Sequence, residues 1–453
     1  MNQINQNNVS RRASLPRHNR PSIRQVYGKS LPQNSLTVVS RFELSKKAYI
    51  DRINSEELPL ETVIWLIPET ITECRYKNSL ICSLYTIEEE ELCKPVIGTK
   101  WTDGEIISAL QKQKSTLGTY TKLTLRKSRK RSTMFDDLSE FVKGYYTTRT
   151  SIKILNINFL FDYRLTKRFH RMNSIVYADI CGGPGGFSEF FKNFTKQSDI
   201  RKPTFGYGIT LRAINDFLPN CIQENEWFKF KAIYGPSETG NIYDSDTQNE
   251  YVNAVMQGTY NLGVEFALAD GGFDVAGQED RQEVLSKQLY LCQILIAFKV
   301  LRKDGDFVLK MFDTFTAFSV GLLYLLYCSF NAITIVKPYT SRPANSERYI
   351  FCKEYKGSVA SSDIIKHLEH VNFLMNMDKS TRVEFLVDVQ HMQSDKRFWN
   401  YINSTTYQLA IEQNKQLLKL IEYCRDDGFD ILDNIPKVLR QQIRKIVLRW
   451  YDI

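Results

Sequence analysis

The sequence predicts an α/β fold in which a mostly parallel sheet is covered by helices on both faces. Three observations lead there. Between residues 176 and 353, short apolar runs rich in β-branched residues alternate with longer segments of helical spacing. Two of those longer segments read as helices packed against a sheet, 278–301 passing from amphipathic to buried and 315–330 buried throughout. The strand-like runs also end in Gly-rich or charged turns, at the edge where open α/β sheets hold their ligands.

Taken in order, residues 135–155 read as a helical approach to this region. Residues 176–180 form a strand that runs into a Gly-rich turn, and 187–194 continue with helical spacing. Strands are expected at 205–211, 231–234 and 264–269, the last ending in Asp270-Gly271-Gly272. The long helix 278–301 follows, and Asp304-Gly305 breaks the chain before a strand at 307–311. A second buried helix at 315–330 and strands at 332–336 and 348–353 complete the alternation. The last hundred residues carry helical spacing and end in an apolar, basic segment at 441–450. The expected divisions are a tail at 1–40, an N-terminal extension at 41–126, the main domain at 127–356 and a C-terminal helical region at 357–453.

Composition bounds the rest. With 453 residues and 43% hydrophobic content, the chain has ample material for a core, and about 150 residues per domain gives two to three domains. The net charge of +9 is unevenly spread: residues 1–40 hold +6 and residues 106–135 hold +8, both without an acid, so the remainder is acidic by 5. The tail is poor in large apolar residues and is expected to be disordered. Concentrated basic charge points to a polyanionic partner. Nine cysteines without a CxxC pair speak against a disulfide framework or zinc module. The start of the chain lacks a signal-like apolar stretch, and no apolar run reaches the roughly 18–20 residues of a membrane span. An intracellular protein without a membrane partner is expected.

The strongest local signal is Asp179-Ile180-Cys181-Gly182-Gly183-Pro184-Gly185-Gly186-Phe187-Ser188, between a strand and a helix. Glycines there permit positive φ and close backbone approach, and the following helix offers free N–H groups. A dinucleotide fingerprint fits poorly, because Ser188 stands where the third glycine belongs and Thr210-Leu211-Arg212 offers no acid after the second strand. Asp270 and Lys310 close two further strands on the same edge. The polar loop Ser341-Arg342-Pro343-Ala344-Asn345-Ser346-Glu347-Arg348-Tyr349 passes straight into the last strand, and its density of hydrogen-bonding groups suggests recognition. Lys153, on the approach helix, is unremarkable by its neighbourhood.

Together, the motifs DICGGPGGFSEF, LADGGFDVAGQED, SKQLYLCQ, VLKMFDTFTAF and KPYTSRPANSERY resemble the FtsJ-like, RrmJ-type cap-specific mRNA 2′-O-ribose methyltransferases. The resemblance covers about 127–353 and implies a Rossmann-like methyltransferase fold with a seven-stranded sheet. It implies S-adenosyl-L-methionine as cofactor and a Lys-Asp-Lys-Glu tetrad, whose members match Lys153, Asp270, Lys310 and Glu347. It places the cofactor at Asp179, Cys181, Gly182, Gly183, Pro184, Gly185, Gly186 and Phe187. Asn241 and Ile242 fall where the family has an Asp-Ile pair beside the adenine. Asp280, Arg281, Gln282 and Asn345, with Arg129 or Arg131, match contacts to capped RNA. Lys310 would take the proton of a ribose 2′-hydroxyl, Lys153 would favour its neutral form and steady charge on the oxygen, and the carboxylates would orient both amines. No metal is required. The implied partners are m7G-capped RNA and the transcription or capping machinery, and the implied address is the nucleus, or the cytoplasm for a virus or cytoplasmic element. The tetrad reports the reaction and not the nucleotide reached, so the second cap nucleotide or another RNA stands as an alternative, with a non-catalytic RNA-binding protein behind it.

Overall fold

In the computed structural model, the residues described are 80–86, 104–132, 146–197, 201–212, 215–273, 275, 278–377, 381–425 and 450. In chain order, β1 (Leu80–Thr86) is followed by α1 (Gly104–Leu117), α2 (Lys122–Ser132), α3 (Arg149–Leu160) and α4 (Arg164–Arg171). The central region runs β2 (Ile175–Ile180), α5 (Gly186–Gln197), β3 (Thr204–Ile209), α6 (Pro219–Ile222), β4 (Phe228–Ala232), α7 (Ser245–Gly258) and β5 (Val264–Ala269). It continues through α8 (Gln282–Leu285), α9 (Lys287–Val300), β6 (Leu301–Met311), α10 (Ala317–Ser329), β7 (Phe330–Val336) and β8 (Arg348–Tyr355). Then come α11 (Ser362–Met377), β9 (Thr381–Val387), α12 (Val389–Ser394) and α13 (Lys396–Arg425).

Seven strands form one sheet in the order β4-β3-β2-β5-β6-β8-β7. The pairs from β4 to β6 are parallel, and β8 runs antiparallel to both β6 and β7. This is the mostly parallel, doubly covered sheet expected from the alternation. The central strand β5 is buried at every position, which is why VEFALA reads as an unbroken apolar run around one acid. That acid, Glu265, is satisfied by Arg302 at 2.7 Å and by the backbone N–H of Val176 at 2.6 Å.

Several boundaries differ from the sequence reading, each for a physical reason. The segment 278–301 is not one helix: α8 ends at Ser286 and α9 starts anew there, while Glu283 of α8 turns inward to accept the backbone N–H groups of Phe315 and Thr316 at 2.9–3.1 Å. Asp304-Gly305 does not separate helix from strand but lies inside β6, as an irregularity of register against β5, with Asp304 at φ 63°. The third expected strand sits three residues earlier, at Phe228–Ala232, because its exposed edge position leaves a mixed polar pattern. Of the expected helical approach 135–155, residues 146–155 lie within the described residues, and the helix there starts only at Arg149, capped by Thr148.

The C-terminal region is not wholly helical. Its strand β9 pairs antiparallel with β1, and the two lie outside the main sheet. Gly321 of α10 approaches β9 so closely that a Cβ there would stand 3.3 Å from Leu386 Cβ. Helix α10 is therefore covered on both sides, by the sheet and by the C-terminal elements, which accounts for its lack of a polar face. Helix α1 packs on α13 through Ile107, Leu110, Leu117, Leu417 and Ile421, and that cluster reaches Phe315 and Ala344. Among the described residues, no helix is long and apolar enough to cross a membrane.

Candidate active site

The carboxyl edge of the central strands gathers the groups that the sequence singled out. Asp179 lies near the end of β2, Asp270 follows β5, Lys310 is the penultimate residue of β6, and Glu347 immediately precedes β8. Because β8 is antiparallel to β6, its start meets the end of β6, with Lys310 opposite Tyr349 and Met311 opposite Arg348. The antiparallel strand thus brings Glu347 to an edge that parallel strands reach only at their ends.

The Gly-rich turn packs directly on its neighbours. A Cβ on Gly182 would stand 2.1 Å from Asp179 Oδ1, and one on Gly183 would stand 1.6 Å from the Asn215 carbonyl, so both positions exclude side chains. Cys181 takes φ 54° and Gly185 φ 102° to turn the chain into α5. Asp179 is buried; Ser188 Oγ donates to its Oδ2 at 2.6 Å, whereas its Oδ1 has no hydrogen-bond partner. Burial pushes the Asp179 carboxyl up to about 7, with Ser188 opposing and Asp270 adding to the rise. Asn241 follows Gly240, whose close approach to the Thr210 carbonyl carries this loop against the end of β3. Asn241 itself caps a turn by accepting the Tyr243 N–H at 3.1 Å, and Ile242 is buried.

The four tetrad candidates form two ion pairs. Lys153 Nζ donates to Glu347 Oε2 at 2.6 Å. Lys310 Nζ lies 3.3 Å from Asp270 Oδ1 and donates to the Asp270 backbone carbonyl at 2.5 Å. Helix α3 ties the pairs together: Lys153 reaches Glu347, and Thr150, one turn earlier on the same face, donates to Asp270 Oδ2 at 3.2 Å. The start of α3 is fixed in turn by Glu189 of α5, which accepts the N–H of Thr147 at 2.7 Å and the hydroxyl of Ser151. Lys153, invisible by its own neighbours, is aimed by a carboxylate from the helix after the Gly turn. Tyr349 OH donates to Asp270 Oδ1 at 2.7 Å, so the Asp270 carboxylate is held from three sides. Burial alone would raise Glu347, but Lys153 and Lys310 hold it well below the usual carboxylate range. Gly272 keeps the space beside Lys310 open, since a Cβ there would lie 3.3 Å from Nζ.

The expected RNA contacts are less uniformly gathered. Asp280 and Arg281 are exposed at the start of α8, and Gln282 Oε1 accepts a long 3.5 Å hydrogen bond from Ser346 of the loop before β8. Asn345 stands in that loop and uses its Oδ1 to accept from Lys337 and Ser341 at 3.0 and 3.3 Å. Arg129 lies half-buried on α2; the side chain of Arg131 lies outside the described residues. Thr150 was not singled out from the sequence, and Glu189, Lys337 and Tyr349 stood there only as members of the motifs that contain them, with no role of their own.

A sheet of this topology, with a Gly turn after its first strand and lysine–carboxylate pairs on one edge, defines an S-adenosylmethionine-type α/β methyltransferase architecture. Residues 146–355 match the family described as FtsJ-like methyltransferase. The mouse protein named cap-specific mRNA (nucleoside-2′-O-)-methyltransferase 1 is 35% identical over 371 residues, which cover 78% of this chain and 42% of the mouse protein. The Drosophila melanogaster protein of the same name is 33% identical over 412 residues, covering 87% of this chain and 50% of its own length. The human protein of that name is 33% identical over 78% of this chain and 42% of its own length. The chain thus spans about half the length of the curated relatives it matches.

Proposed function

We propose that this chain is an S-adenosylmethionine-dependent mRNA cap 2′-O-ribose methyltransferase, which modifies the first transcribed nucleotide of m7G-capped RNA and converts cap-0 to cap-1. The observation that carries the reading is the pairing of Lys153 with Glu347 and Lys310 with Asp270 on the strand edge beside the Gly turn. The names of the relatives supply the substrate class.

The residues present fit the cofactor. Asp179 Oδ1 is a buried carboxylate oxygen without a partner beneath the Gly turn, an arrangement suited to a cationic group. Asp179, the Cys181–Phe187 turn, Asn241 and Ile242 would hold it. Bound S-adenosylmethionine supplies an electrophilic methyl group on a sulfonium. Lys310 would accept the proton of the ribose 2′-hydroxyl during transfer, for which its amine must be neutral. Asp270, fixed by Tyr349 and Thr150, aims that amine through Oδ1 and its backbone carbonyl. Lys153, held by Glu347, steadies negative charge on the attacking oxygen. Holding the ribose hydroxyl in place beside the Gly turn would supply much of the acceleration.

Asn345, Gln282, Arg281 and Asp280 line the RNA side of this reading, with the basic helix α2 beyond them. The place of action follows from the substrate: the nucleus for a cellular gene, the cytoplasm for a virus or cytoplasmic element. The test is methyl incorporation into m7G-capped, unmethylated-cap and uncapped transcripts, with nuclease mapping of the modified ribose. Label at the first nucleotide of the m7G-capped RNA is expected; label only at the second nucleotide, or equal label on uncapped RNA, overturns the assignment. In the same assay, Lys310→Ala should lose transfer by at least about 100-fold while retaining cofactor affinity, and robust activity in that variant removes Lys310 from its role.

A further inference from the structure

Lys337 follows β7 and lies behind the tetrad rather than in it. Its ammonium is enclosed by a single loop: it donates to the Asn345 carbonyl at 2.7 Å, to Asn345 Oδ1 at 3.0 Å and to the Glu347 carbonyl at 2.9 Å, with Ser341 Oγ at 3.5 Å. Every acceptor belongs to residues 341–347. Ser341 Oγ in turn donates to Glu347 Oε1 at 2.8 Å, which leaves Oε2 for Lys153. One amine thus fixes both the backbone that presents Glu347 and the amide oxygen of Asn345. Burying an ammonium against neutral oxygens is costly, and burial pushes Lys337 down to about 7, with Glu347 opposing and Arg348 and Lys153 adding to the fall. An apolar side chain of similar length would fill the same space without that cost, so packing alone does not account for a lysine here.

We propose that Lys337 is a positioning residue for Glu347 and Asn345: by clamping the 341–347 loop through three oxygens, it sets the carboxylate that aims Lys153. This rests on the methyltransferase reading above. The loop keeps other anchors when Lys337 is replaced, since Gln413 of α13 donates to the Ala344 carbonyl at 3.3 Å and Arg149 of α3 to the Thr340 carbonyl at 3.2 Å. The clamp can therefore be removed without freeing the whole segment.

The experiment compares the full-length wild type with Lys337→Met, Glu347→Gln and the double variant. For Lys337→Met, kcat on m7G-capped RNA should fall about 100-fold, the loss that an ångström-scale misplacement brings, with Kd for S-adenosylhomocysteine within about twofold. Because Lys337 acts on the chemical step through Glu347, the double variant at saturating RNA should have a kcat no lower than that of Glu347→Gln alone, the loosened Asn345 showing instead in KM for RNA. A folded Lys337→Met with wild-type kcat, or losses that multiply in the double variant, overturns the proposal. If Lys337→Met does not fold, Lys337→Arg carries the same test: a planar guanidinium cannot set one tetrahedral nitrogen against three oxygens, so wild-type kcat in that variant is equally fatal. Amide hydrogen exchange gives a readout independent of turnover, with faster exchange confined to 341–347 expected and an unchanged loop refuting the clamp. An inactive wild type would sink the methyltransferase reading alone, leaving the exchange result to decide on Lys337.

Discussion

Asp179 shows how a single carboxyl is tuned by its place beneath the Gly turn. With its ordinary value near 3.8 raised to about 7 by burial, it binds a proton in the folded protein over a window where the unfolded chain has already lost one. Its contribution to stability is full below about pH 4 and is lost as pH rises through 7. Asp179→Asn should therefore flatten the decline of cofactor-free stability between about pH 4 and 7, measured by denaturant unfolding at several pH values; an unchanged slope would remove Asp179 as its source. A cationic ligand at Oδ1 favours the ionised form, so cofactor should bind more tightly to the wild type as pH rises through the same window, and Asp179→Asn should lose that gain. At this scale, Asp179, Asp270 and Lys310 were legible because each closes an apolar strand, where a charged residue must be either functional or paired. Lys337 also closes a strand, but a lysine after an apolar run reads as a snorkelling surface residue, and nothing local reveals that a loop folds back over it.

Helix α1 contributes a buried charge to the centre of the molecule. Lys114 forms a buried ion pair with Asp313, three residues beyond Lys310, and Arg348 Nη2 lies 3.2 Å from the other oxygen of that carboxylate. Arg348 is the residue after Glu347, and its Nε donates to the Ser346 carbonyl at 3.1 Å. The segment before the main domain is therefore bonded to Asp313, just past the strand that carries Lys310, and through it to Arg348, the residue after Glu347. Removing Lys114 leaves Asp313 with Arg348 as its remaining cation, so Lys114→Met should cost less than the roughly 3–5 kcal/mol of a fully stranded buried charge. Asp313→Asn takes the carboxylate from both Lys114 and the buried Arg348, so the double variant should lose less than the sum of the two single losses, the Lys114–Asp313 pair being removed only once. Urea unfolding of the single and double variants measures both, and strict additivity would show that the two side chains do not interact. This connection was hidden in the sequence, where Lys114 counts as one more charge in a basic run. The break between α8 and α9 was hidden for a related reason: helical spacing runs on through Glu283-Val284-Leu285-Ser286-Lys287, with no glycine or proline to mark where one helix stops.

Charge separates the molecule into functional regions that the total of +9 conceals. The strand edge that holds the two ion pairs is close to electrically balanced, and the chain outside residues 1–40 and 106–135 is acidic by 5, so attraction for a polyanion must come from those two segments. Residues 1–40 lie outside the described residues. In the second segment, Lys114 is withdrawn into its ion pair, while Lys122, Arg126 and Lys127 are exposed on α2, a helix without an acid. Helix α2 rests on the same apolar cluster as Ala344, through Leu125, which sets its basic face within reach of the loop that carries Asn345 and Glu347. An RNA whose first ribose lies at Lys310 would then pass its phosphates toward α2. Replacing Arg126, Lys127, Arg129 and Lys130 together by glutamine should weaken binding to capped RNA and shallow the dependence of log K on log salt. Each lost single-strand phosphate contact contributes about 0.7 to that slope, so the change should reach up to about 3. Methyl transfer to a short capped dinucleotide, which has too few phosphates to reach α2, should change little in the same variant. Equal loss on long and short substrates would instead place the defect at the strand edge, and an unchanged salt slope with impaired nuclear import would reassign the basic run to an address.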